Sequence, residues 1–140
     1  MVPKDRGWSR PSLLLVDDCA CERDLYELIL ETEFRVLTAA RGDECCEVAT
    51  LSRPDAIVLD VMMPGMDGWE TCRHIKDDAR TAGIPVILLT GADDGDLSAR
   101  AEAAGAEVLL TKPCPADRLS ETIRRTLAER RAKAVWGIKH

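Results

Sequence analysis

Five short, largely apolar runs, four of them closing just before a polar residue and each followed by a stretch with helical spacing, constrain this chain more than any other feature. They are Ser12 to Val16, Phe34 to Ala39, Ala56 to Leu59, Pro85 to Leu89 and Val108 to Leu110. A run that is apolar throughout, rather than at every second position, reads as a strand buried on both faces. Between the runs, Cys21, Leu25, Leu28, Ile29 and Thr32 predict an amphipathic helix, with Glu22, Arg23, Glu27 and Glu31 on its polar side. Asp43 to Leu51 predicts a second helix, with Cys45, Cys46 and Ala49 toward the sheet. A turn-rich loop, Met63 to Gly68, then leads into a third helix with Trp69, Cys72 and Ile75 on one face. Asp96 to Ala104 predicts a fourth helix. Leu119, Ile123 and Leu127 mark a last one, expected to end near Lys133. Five β-then-α units of this kind call for a parallel sheet covered on both faces, because right-handed crossovers place the helices there. The expected class is α/β, doubly wound.

At 140 residues the chain suits one domain, able to bury about two-thirds of the surface its unfolded form exposes. We divide it into an N-terminal extension (residues 1–11), one domain (12–133) and a tail (134–140). No run approaches the ~20 apolar residues of a membrane span, and the first residues lack the apolar core of a secretory signal, so a cytoplasmic location is expected. The net charge of -6 argues against direct DNA or RNA binding, which needs lysine and arginine in excess over one face. The one basic stretch, with Arg118, Arg124, Arg125, Arg130, Arg131 and Lys133, alternates with acids and reads as a solvated helix face. Six cysteines without a signal sequence are expected to remain thiols, and Cys19-Ala-Cys21 and Cys45-Cys46 lack the spacing of zinc knuckles.

Four polar sites fall where predicted strands end: Asp17 with Asp18, Asp60, Thr90, and Lys112. In open α/β sheets ligands bind outside the carboxyl ends of the strands, so these residues are expected to converge on one crevice. Three crowded carboxylates repel one another and call for a hard, oxygen-liganded cation. Mg²⁺ suits the site, with Mn²⁺ as the alternative. Lys112 supplies a second positive charge and Thr90 a hydroxyl able to donate to a phosphoryl oxygen. Together they describe phosphoryl transfer to a carboxylate nucleophile.

The segment from Pro54 to Gly68, with Asp60, Pro64, Asp67 and Gly68 in place, resembles the phosphoacceptor strand and following loop of the bacterial two-component response-regulator receiver family. Leu13 to Asp18, Thr38 to Glu44, Ile84 to Ala92 and Gly105 to Pro113 match in the right order, so that the resemblance covers roughly residues 12 to 130. It implies a flavodoxin-like fold with strand order 2-1-3-4-5 and phosphorylation of Asp60. It further implies a metal bound directly by Asp18 and Asp60, through water by Asp17, and by the backbone carbonyl of Met62. Lys112 would pair with the phosphoryl group and Thr90 would move toward it. The donor would be a phosphohistidine on a histidine kinase or histidine phosphotransfer protein, and the output a contact with an unidentified downstream protein. The domain would catalyse its own phosphorylation and dephosphorylation without being an enzyme of other substrates.

Two positions depart from the family pattern. Leu109 stands where many receivers carry a switch tyrosine or phenylalanine, and Cys114 where phenylalanine is frequent. A smaller or differently routed rearrangement of the face made by the fourth helix, fifth strand and fifth helix is therefore expected. Met62 and Ala92, two residues past Asp60 and Thr90, cannot orient a water by hydrogen bonding, so slow self-dephosphorylation is expected. A haloacid-dehalogenase-type phosphatase needs a second acid two residues after its nucleophile, where this chain has Met62. The remaining alternative is a receiver-fold binding module acting independently of phosphorylation. The tail has no room for an output domain, which leaves a stand-alone receiver or a piece of a longer regulator or hybrid kinase. Val135, Trp136 and Ile138 are expected to pack on the body; otherwise they seed a partner or homodimer contact.

Overall fold

A computed structural model describes residues 10–91 and 96–139, with side chains described through Lys133. The elements alternate as β1 (Ser12–Val16), α1 (Ala20–Leu30), β2 (Arg35–Ala39), α2 (Gly42–Ser52), β3 (Ala56–Asp60), α3 (Gly68–Asp77), β4 (Val86–Thr90), α4 (Leu97–Ala104), β5 (Val108–Thr111) and α5 (Ala116–Lys139). All strand pairs are parallel, in the order β2-β1-β3-β4-β5. This is the flavodoxin-like architecture expected from the sequence. The helix expected to end near Lys133 continues to Lys139. The side chains of Val135, Trp136 and Ile138, residues 1–9 of the extension, and Ala92 lie outside the described residues.

Burial on both faces explains why the central strands β1, β3 and β4 lack alternation, whereas the edge strands β2 and β5, each with a neighbour on one side only, are partly exposed. Every residue of β3 and β4 is buried. Leu14, Val16, Ile57, Leu59, Val86 and Leu88 face a core completed by Cys45 and Ala49 of α2, Trp69, Cys72 and Ile75 of α3, and Leu97 and Ala101 of α4. Their neighbours Leu13, Leu15, Val58, Ile87 and Leu89 point to the opposite core, completed by Leu30 of α1, Phe34, and Leu119 and Ile123 of α5. The strand period of two thus feeds two separate cores. All six cysteines are free, with Cys19 and Cys21 exposed.

The inward face of α1 differs from the expectation. Leu25 (58 % exposed), Leu28 (63 %) and Ile29 (38 %) point outward, as do Cys21 and Thr32. Leu30 and Tyr26 turn inward instead, the Tyr26 hydroxyl donating to the Cys114 carbonyl at 2.8 Å. The cause is that Leu30, followed by Phe34, fills the core under β1 and β3, and the tyrosine bridge fixes the helix's rotation against the loop before α5. The more continuous apolar stripe is left in solvent.

The far end of the sheet is held by Lys76. Its ammonium donates to the carbonyls of Ala82 (3.2 Å) and Ile84 (2.7 Å) and to Glu107 (3.0 Å), while the other Glu107 oxygen accepts from Val86 N–H at 2.8 Å. One side chain so joins α3 to the entrances of β4 and β5. Lys76→Met keeps the apolar stem but removes all three donations. We expect it to lower the unfolding free energy by about 2–3 kcal/mol in urea titrations; a loss below about 0.5 kcal/mol would make this bridge a surface ornament.

Candidate phosphoryl-acceptor site

Strand order reverses between β1 and β3, and the crevice at their carboxyl ends is where ligands of such sheets bind. Asp17 follows β1 and Asp60 is the last residue of β3, so the fold places two carboxylates side by side, 2 % and 4 % exposed. Asp18, exposed at the rim, completes a group whose carboxylate oxygens lie within 4.8 Å of one another. Cys19 N–H donates to Asp17 Oδ1 at 2.9 Å, and the Arg23 guanidinium donates to the Asp17 carbonyl at 2.7 Å. The loop after β3 is pinned close by Gly68, whose N–H donates to the Val61 carbonyl at 2.8 Å. A Cβ on Gly68 would lie 2.5 Å from the Asp60 carbonyl oxygen and 2.5 Å from Val61 Cα, so only glycine lets α3 start here. Asp67 caps that helix by accepting from Glu70 N–H at 2.9 Å.

The opposite wall comes from β4 and β5. Thr90 is fully buried and ends β4, one residue past Leu89, the register partner of Asp60. Its carbonyl accepts from Lys112 N–H at 2.8 Å, which fixes where the Lys112 side chain leaves the backbone. The ammonium of Lys112 lies 3.2 Å from Asp60 Oδ1, 3.1 Å from Glu22 Oε1 and 3.9 Å from Asp17 Oδ2. The structure therefore brings Asp17, Asp18, Asp60 and Lys112 together, with Thr90 on the adjoining strand end. Met62 presents its backbone to the Asp60 carboxylate, while its side chain is 63 % exposed. Leu109, three residues before Lys112, packs against the core shared by Trp69, Leu97 and Ala101.

Two neighbouring residues escaped the sequence reading. Helical spacing puts Glu22 and Arg23 on the polar, solvent side of the first helix, yet both reach into the site. Their position one helical turn after Asp18 and Cys19 was the available signal: a side chain there lies over the crevice if the helix starts at its rim.

Electrostatics make the pocket hungry for positive charge. Burial pushes the Asp60 carboxyl above its ordinary value, Lys112 partly offsetting the rise and Asp17 adding to it. Burial likewise raises Asp17, against the Cys19 N–H and Lys112. Burial pulls Lys112 down, but the Asp60, Glu22 and Asp17 carboxylates outweigh it and hold the ammonium above its usual value. One ammonium thus serves several acids. Asp60 Oδ1 is buried and accepts no hydrogen bond, its distance to Lys112 being that of an ion pair with poor direction. An acceptor-only oxygen left in this way, within an all-oxygen set of three carboxylates, fits a hard divalent cation such as Mg²⁺.

Known proteins are similar to this chain in sequence and fold. The chain is 44 % identical over 119 residues to Transcriptional regulatory protein AfsQ1 of Streptomyces coelicolor, an alignment covering 84 % of this chain and 51 % of that protein; it spans about half the length of this relative. It is 34 % identical over 117 residues to Protein PilH of Pseudomonas aeruginosa, covering 83 % of this chain and 97 % of PilH. The Vibrio cholerae chemotaxis protein CheY4 superposes with a TM-score of 0.78 at 30 % identity, over 84 % of this chain and 98 % of that structure. With the family model of the response regulator receiver domain matching residues 13–124, the chain belongs to that family, the phosphoacceptor modules of two-component signalling.

Proposed function

We propose that Asp60 is the phosphoacceptor and that the phosphoryl group comes from a phosphohistidine on a histidine kinase or histidine phosphotransfer protein. The observation that carries this reading is the buried, unbonded Oδ1 of Asp60 beside the Lys112 ammonium, at the strand-order reversal. An Asp60 oxygen forms a bond to phosphorus as the phosphorus–nitrogen bond to the donor imidazole breaks, the imidazole leaving with the electron pair. Receiver domains bind Mg²⁺ at an acidic pocket; here Asp17, Asp18, Asp60 and the Met62 carbonyl would hold it, Mn²⁺ being the alternative ion. The bound ion would offset charge on the phosphoryl oxygens. Lys112 pairs with the transferred group, and the Thr90 hydroxyl donates to one of its oxygens. Receiver domains are phosphoacceptors rather than enzymes of other substrates, and we assign this chain catalysis of its own loading and unloading only.

The output is a protein–protein contact, with no direct DNA contact by this domain. Among the described residues no helix is long and apolar enough to cross a membrane; we assign the domain to the cytoplasm with its phosphodonor. The outward stripe of Leu25, Leu28 and Ile29 lies on the helix whose first turn borders the crevice, so a donor histidine reaching Asp60 passes beside it. Leu109 favours a second reading, a binding module indifferent to phosphate, because no aromatic ring stands there to follow Thr90. If loading occurs, we assign Leu109 a smaller change of the face made by α4, β5 and α5.

The acceptor is located by loading the protein with acetyl phosphate and Mg²⁺, reducing it with borohydride and sequencing the peptides by mass spectrometry. Homoserine at position 60 is the expected product; homoserine elsewhere, or none, contradicts the assignment. The exposed thioether of Met62, at best a weak acceptor, cannot orient or activate a hydrolytic water. The purified phosphoprotein is therefore expected to persist for minutes or longer, and Met62→Asn to shorten that lifetime. Loss of the phosphoryl group from wild type within seconds would contradict this.

A further inference from the structure

The ammonium nearest the acceptor is not devoted to it. Lys112 Nζ stands 3.1 Å from Glu22 Oε1, as close as it stands to Asp60 Oδ1 at 3.2 Å. Glu22 sits in the first turn of α1 with its side chain 44 % exposed, whereas the Asp60 and Asp17 side chains are 5 % and 3 % exposed. An acid at the mouth of the crevice therefore shares the positive charge that the buried acceptor needs, and adds a negative charge on the route of any phosphodonor.

We propose that Glu22 is a brake on the loading of Asp60, a positioning residue that holds Lys112 toward the rim until a phosphoryl group displaces it. The inference rests on the reading of Asp60 as the acceptor. During loading from acetyl phosphate, an Asp60 oxygen bonds to phosphorus as the phosphorus–oxygen bond to acetate breaks, and acetate leaves with the electron pair. The incoming phosphoryl carries more negative charge than the carboxylate it joins, so Lys112 is drawn from Glu22 to the acceptor side. Before that point, Glu22 acts twice against the reaction: it repels the dianionic donor, and it competes for the ammonium that would stabilise the transferring group. A partly exposed pair is weakly held, which lets the arriving phosphoryl break it.

A purely structural role, tying α1 to the end of β5, predicts that removing Glu22 slows loading or leaves it unchanged. A brake predicts the opposite sign. Loading is followed by intact-mass time courses at saturating Mg²⁺ for wild type, Glu22→Gln and Glu22→Asp, with acetyl phosphate and with the less negatively charged donor phosphoramidate. Glu22→Gln is expected to load from acetyl phosphate about three- to tenfold faster than wild type, with a smaller gain from phosphoramidate. The gain should shrink as salt is raised, and Glu22→Asp, which keeps the charge, should stay near wild type. Loading of Glu22→Gln from acetyl phosphate at or below the wild-type rate overturns the proposal, as does a Glu22→Asp rate equal to that of Glu22→Gln. In both cases wild-type loading leaves the acceptor reading intact; failure of wild type to load from either donor overturns that reading, and the brake with it.

Discussion

Asp60→Asn is expected to abolish phosphoryl acceptance and, in metal-free buffer near neutral pH, to raise the unfolding free energy by about 1–2 kcal/mol. Loss of function and gain of stability have one cause. Asp60 is 4 % exposed with a carboxylate oxygen that accepts no hydrogen bond; Asp17 and Asp18 crowd it, and it shares one ammonium with Asp17 and Glu22. An amide of the same shape removes the charge and with it the repulsion. Because burial holds the Asp60 carboxyl above its ordinary value, the folded protein keeps this proton more tightly than the unfolded chain does. The stability linked to that proton is complete below about pH 4 and is lost as pH rises through the raised value. Asp17, also raised by burial, adds in the same direction. Urea titrations in chelator at about pH 5 and about pH 7.5 should thus show the advantage of Asp60→Asn growing with pH. Added Mg²⁺ should narrow it by stabilising the folded wild type. A variant less stable than wild type at both pH values would mean that the pocket satisfies its charge internally.

Lys112→Met carries the second large effect. The methionine keeps the length of the stem and removes the ammonium that lies 3.2 Å from Asp60 and 3.9 Å from Asp17. Loading from acetyl phosphate at saturating Mg²⁺ is expected to fall about 10- to 100-fold, because a preorganised cation beside the transferring group is lost from a largely buried site. Unlike Asp60→Asn, this variant still has its nucleophile, so slow loading should remain measurable. An undiminished rate would show that the ammonium contributes nothing to the transition state and acts only after transfer.

The parts of this molecule that could be read from its residues are those fixed by burial on two sides. Ile57, Val58 and Leu59 leave no alternative to a central strand, and Asp60 directly after them leaves none to a polar strand end. The same logic placed Asp17 and Thr90, while Lys112 follows β5, an edge strand only half-buried. The rotation of α1 was not legible. Leu25, Leu28 and Ile29 form a better apolar stripe than the inward pair Tyr26 and Leu30, and what decides between them is a hydrogen bond to Cys114, 88 residues away along the chain. Once the helix is turned that way, Glu22 and Arg23 come to the crevice, so the same distant contact decides the place of both. The Lys76 bridge was hidden for a related reason: its partners are backbone carbonyls and Glu107, none of which marks itself in sequence.

Whether Asp60 and its acidic neighbours form a metal-dependent phosphoryl acceptor is decided by intact-mass spectrometry after incubation with acetyl phosphate. Wild type is expected to gain the mass of one phosphoryl group with Mg²⁺ and none in chelator, and Asp60→Asn to gain none in either condition. No gain by wild type with Mg²⁺, or an equal gain by Asp60→Asn, would contradict this.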